Sequence, residues 1–198
     1  MSRLRWIIGF ALLGACARPA VEADLSRRPV RLLDQDSLPV RLPEALNGGP
    51  ALLGYIYTHC PDICPMITER MIQIAQRIPD SVRIRYVLIS LDPERDRPYK
   101  LRRYAELYGL RGPAWWLLTG SEAEIQALLD QVGVLRRRGW TRFAENGEPI
   151  YFIDHTDRVS LLDAKGRVRR HYEGTRADPE RVRRDVLFLW REQREQAL

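Results

Sequence analysis

Strand-length apolar runs alternate with amphipathic helical stripes and then give way to a hairpin and a last helix. That order predicts an α/β domain, a three-layer sandwich about a mixed central sheet. The composition agrees with it. The 198 residues are 45% hydrophobic and 29% charged, with 13 glycines, 13 prolines and three cysteines, values of an ordinary globular chain. They exclude a disordered tail, a collagen-like repeat and a disulfide-dense miniprotein. One domain is the expectation at this length, and its core needs no covalent staples. The cysteines therefore call for a chemical reason.

The amino terminus reads as a targeting segment. Arg3 and Arg5 precede an apolar run over residues 6–15, too short to cross a bilayer as a stable helix. Leu13, Gly14 and Ala15 stand before Cys16, the small-residue pattern of a bacterial lipoprotein signal. The expectation is that residues 1–15 are removed, that Cys16 is acylated, and that residues 16–30 are a flexible tether to a domain spanning 31–198. Such a protein is held by lipid on the extracytoplasmic face of the inner membrane, facing the periplasm.

Past a turn at Gly48, Gly49 and Pro50, residues 51–57 form an apolar strand that runs directly into Thr58-His59-Cys60-Pro61-Asp62-Ile63-Cys64-Pro65. Ile67, Met71, Ile74 and Ile78 recur at helical spacing, and Pro79 ends that helix. Residues 82–91 become wholly apolar, as a strand buried on both faces does. A loop through Asp92 and Asp96 leads to a helix bearing Leu101, Tyr104, Ala105 and Tyr108 on one face, ending near Gly109. Residues 115–119 are a third strand. Ser121 and Glu124 make a capping box for a helix that Gly133 closes. Residues 134–154 are extra chain, a loop or hairpin with a turn at Asn146-Gly147. Two strands then flank the turn at Gly166, and Asp178 with Pro179 opens the final helix. The order is that of a thioredoxin-like fold with an inserted loop or hairpin.

The net charge is +6. Its arginines fall in small scattered clusters, Arg136 to Arg138 and Arg169-Arg170 among them, which read as solvated faces. With export expected and no groove-reading element, nucleic acid is not an expected partner. Phosphate loops, dinucleotide fingerprints, zinc-protease helices and nucleophile elbows are missing from the sequence.

Four positions separate Cys60 from Cys64. On a helix that brings both sulfurs to one face, with Cα atoms about 6 Å apart, near enough to bridge or to grip one ion. A helix amino terminus favours the thiolate, which is both nucleophile and metal ligand. A stapling disulfide would close so short a loop that it stabilises little, so chemistry is the better reading. Two thiolates with an imidazole suit copper, whereas structural zinc wants four ligands. Three histidines could supply the imidazole. His59 adjoins Cys60 in an extended segment and points away from it; His171 lies in an arginine-rich strand expected to face solvent; His155 sits in a loop able to fold over the helix start.

The segments 57–65, 89–96 (Ile-Ser-Leu-Asp-Pro-Glu-Arg-Asp) and Asp154-His155-Thr156 together resemble the signature blocks of the Sco/SenC family, over about residues 30–190. The resemblance implies a membrane-tethered, thioredoxin-like copper chaperone that takes copper from an upstream periplasmic donor and serves the dinuclear copper centre of cytochrome c oxidase subunit II. It implies copper ligation by Cys60, Cys64 and His155, and a supporting or docking role for Asp62. Many relatives carry a transmembrane helix where this chain has Cys16. Two rival readings use the same residues. In one, Cys60 and Cys64 are a redox-active pair that reduces the cysteines of that copper centre. In the other, Arg95 or Arg97 sits beside a thiolate that reduces peroxide.

Overall fold

The computed structural model describes residues 20–196 apart from positions 47 and 148. The signal segment and Cys16 lie outside the described residues. An eight-stranded sheet carries the fold. In chain order it is built from β1 (Ala23–Asp24), β2 (Val30–Leu33), β3 (Pro39–Leu42), β4 (Ala51–Ile56), helix α1 (Ile63–Ala75), β5 (Arg85–Ser90), α2 (Pro98–Leu107), β6 (Trp115–Gly120) and α3 (Glu122–Val132). A protruding hairpin follows, made of β7 (Arg136–Arg138), β8 (Arg142–Phe143), β9 (Pro149–Ile150) and β10 (Ile153–His155). The chain then returns to the sheet through β11 (Val159–Leu162) and β12 (Arg167–Tyr172) and ends in α4 (Pro179–Gln196).

Strand order is β1-β12-β11-β4-β5-β6-β2-β3, parallel only across β4, β5 and β6. All six residues of β4 are buried, as helix-covered parallel strands are. Gly54 is required there: a Cβ would stand 2.5 Å from the Met71 sulfur and 3.0 Å from Leu88, so the missing side chain lets α1 close onto the strand. Helix ends follow the sequence signals. Ser121 Oγ accepts from the Glu124 amide at 3.2 Å, Gly133 closes α3 with φ of 64°, and Asp178 Oδ1 accepts from the Glu180 amide.

Two expectations need correction, and two strands were not foreseen. The segment read as tether joins the domain from Ala23 onward, because β1 pairs with β12 and Leu25 is only 1% exposed. Strands β2 and β3, which extend the sheet past β6, carry a weak alternating pattern of only four residues each. Arg169 is not solvated but 5% exposed, paired with Asp163 and Glu192; a buried guanidinium survives only with such partners.

Candidate metal centre

Strand β4 ends at Ile56, and the chain turns before α1 begins. Cys60 lies in that turn, its amide donating to the Tyr57 carbonyl at 3.2 Å, so it precedes the helix instead of sharing its face. Cys64 stands in the first turn of α1 and is fully buried, with Thr68 Oγ donating to its carbonyl at 3.0 Å. His155 comes from the far side of the hairpin, where it pairs with Arg136 at the end of β10. The sequence places it in a loop; the structure places it on a strand.

The two sulfurs and a ring nitrogen of His155 all lie within 4.8 Å of one another, and Nε2 is 3.4 Å from Cys64 Sγ. Nδ1 is 3.1 Å from the Thr156 carbonyl oxygen. A carbonyl only accepts, so Nδ1 carries the ring proton and the Nε2 lone pair faces the sulfurs, the tautomer a metal ligand needs. His59 stands apart from this cluster, hydrogen-bonded to Thr58. His171 does not face solvent as expected: its Nδ1 is 2.9 Å from the buried Ser160 hydroxyl, and Nε2 approaches Glu22.

The thiols are unequal. Hydrogen bonding from Cys64 holds the Cys60 thiol far below the ordinary range, and the amides of Asp62 and Cys64 add to this against a burial cost. Cys64 is pushed up by the same shared hydrogen bond and by burial. The outer sulfur is thus the one that favours the thiolate and the inner sulfur the one that favours the thiol. A cavity of about 310 Å³ opens on Cys60 and His155 and is bordered by Asp62 and Phe152.

A second layer was not singled out from the sequence. Asp96, fully buried, accepts from the Thr58 amide at 3.1 Å, the Thr58 hydroxyl at 2.5 Å and the Ser90 hydroxyl at 2.7 Å. It ties the cysteine turn to the end of β5. Asp92 pairs with Arg95 and accepts from the Tyr151 hydroxyl at 2.8 Å. The Tyr151 ring lies between two guanidiniums, Arg95 at 3.5 Å and Arg138 at 3.6 Å. Arg95 is thereby committed to the hairpin. The acidic and arginine positions of the 89–96 block were the signal for this layer, but spacing alone does not say what they hold.

The fold and this trio define a class: a thioredoxin-like protein whose Cys-x-x-x-Cys turn is completed by a remote histidine into a three-ligand site. The family model SCO1/SenC matches residues 20–190, and the chain belongs to that family. A SCO1 protein homolog of Bacillus subtilis is 28% identical over 174 residues, 86% of each chain. A SCO2-like protein of Rickettsia conorii is 31% identical over 130 residues, 65% of this chain and 60% of that one. The chain thus spans about 60% of the length of the first such curated relatives. Among solved structures, Bradyrhizobium japonicum ScoI with copper bound is 29% identical with a TM-score of 0.63, covering 81% of this chain and 97% of that one. BsSco, described as having a disulfide switch and as a member of the Sco family of cytochrome c oxidase assembly proteins, is 27% identical with a TM-score of 0.65, covering 85% and 94%.

Proposed function

We propose that this protein is a copper chaperone for cytochrome c oxidase, with Cys60, Cys64 and His155 as its copper ligands, acting on the dinuclear centre of subunit II. One observation carries the reading: three soft or borderline donors converge from segments 91 residues apart. Copper comes as cargo from an upstream periplasmic donor. Cys60, partly exposed and the more acidic of the two thiols, is the entry ligand; Cys64, the less acidic, loses its proton on binding; His155 completes the shell with a lone pair already aimed. A three-coordinate site open to a cavity allows transfer by stepwise exchange of ligands with the recipient. Acylation of Cys16 would keep the domain at the membrane that holds the oxidase.

The test is copper stoichiometry. One copper per chain is expected after reconstitution, abolished by Cys60→Ser and weakened by His155→Ala; a chain that holds no copper refutes the reading. Fatty-acid labelling that disappears in Cys16→Ala tests the anchor.

The inequality of the thiols favours a second reading, reduction of a disulfide in the recipient centre. Cys60 thiolate would attack one recipient sulfur and release the other as a thiolate. Cys64 would then attack Cys60, freeing the second recipient thiol and leaving a Cys60–Cys64 disulfide for an external dithiol to reduce. Rescue of oxidase activity in a deletion strain separates the readings: added copper rescues if delivery is the task, a reductant if thiol chemistry is.

A further inference from the structure

The cysteine turn and the histidine arm belong to different parts of the fold, and something must hold one in register with the other. In an antiparallel pair, alternate residues aim their amides away from the partner strand. Among the described residues strand β10 pairs only with β7, and the Ile153 amide, two residues before His155, donates to the Tyr57 hydroxyl at 3.1 Å instead of to a strand. Tyr57 lies three residues before Cys60, is 2% exposed, and meets the His155 ring edge-on with centroids 6.2 Å apart. Its carbonyl accepts from the Cys60 amide and its side chain reaches the histidine arm, so one residue joins both halves of the site.

We infer that Tyr57 is a positioning residue for copper: its buried hydroxyl fixes the His155 arm against the cysteine turn and so sets how long the third ligand stays on the metal. The inference rests on the copper reading above. Tyr57 meets neither substrate nor solvent in a catalytic sense; it acts through His155. A phenol carries its proton at physiological pH, and its oxygen is the acceptor for the Ile153 amide. The Tyr151 clamp between Arg95 and Arg138 anchors the same arm two residues further back. It holds the arm in place but does not reach the cysteines.

Tyr57→Phe removes the hydroxyl and keeps the ring. The experiment measures release of copper to a competing chelator from four full-length proteins: wild type, Tyr57→Phe, His155→Ala and the double variant. The expected result is release about tenfold faster in Tyr57→Phe, the effect of leaving one buried donor unsatisfied, with loss of part of the imidazole signature in the copper(II) spectrum. In the His155→Ala background the same substitution should change release by less than about twofold, because the arm no longer carries a ligand. A general structural role would speed release equally in both backgrounds, and that result overturns the inference. So does unchanged release in Tyr57→Phe alone. Failure of the wild type itself to hold copper would defeat the copper reading, and this inference with it.

Discussion

His155 Nε2 and Cys64 Sγ, 91 residues apart in the chain, stand 3.4 Å from each other across the base of the hairpin. The contact joins a strand tip to the first turn of a helix, and each side is fixed by its own network. Removing the imidazole should therefore leave the fold intact. His155→Ala is expected to unfold within about 1 kcal/mol of the wild type, as substitutions away from the packed core do, while copper release quickens. A large loss of stability would show the histidine to be structural.

The unequal thiols predict an unusual pH profile. Because the Cys60 pKa is depressed, the thiolate persists well below neutrality. In a chain carrying Cys16→Ala, alkylation of Cys60 should vary by only about threefold between roughly pH 5.5 and pH 8, where an ordinary thiol gains more than a hundredfold. Mass spectrometry of the alkylated peptide reads this out. A rate climbing tenfold per pH unit would mean that Cys60 is not held as a thiolate.

Asp96 supports the cysteine turn through three donors. Asp96→Ala leaves them unsatisfied in a buried setting and should cost about 2–4 kcal/mol in urea unfolding. Burial raises the pKa of this carboxyl. Its contribution to stability is then fully present below the pKa of an unfolded aspartate and is lost as pH rises through the higher folded value. The stability of the wild type relative to Asp96→Asn should fall over that window; a difference independent of pH would contradict the account.

Gly54 is a packing prediction. Gly54→Ala drives a methyl into the Met71 sulfur and Leu88, and overpacking of this kind costs about 1–3 kcal/mol. An unchanged urea midpoint would show that α1 can move away from β4 without penalty.

Much of this was legible before the structure. The helix with Ile67, Met71 and Ile74 inward, the capped α3 and the Asp178 start of α4 follow from periodicity and end signals. The trio was legible through the resemblance of three separate blocks to the Sco/SenC family; the cysteine spacing by itself gave two sulfurs and left the imidazole among three histidines. What sequence pattern could not carry was partnership. Arginines look alike in a sequence, yet Arg169 is buried between two carboxylates, and Arg95 and Arg138 enclose a tyrosine. Tyr57 read as one more apolar strand residue, because the acceptance of a hydrogen bond from Ile153 depends on where the hairpin folds back. Strand β1 was read as tether because two residues of pairing leave no periodic signal.

The central claim is that one copper ion sits between two sulfurs and one imidazole, and X-ray absorption of the copper-loaded chain tests it most directly. Two sulfur neighbours and one nitrogen neighbour are expected, with the imidazole scattering lost in His155→Ala and the sulfurs retained. Imidazole scattering that survives His155→Ala, or a shell of sulfur alone in the wild type, would contradict the assignment of His155 and with it the site described above.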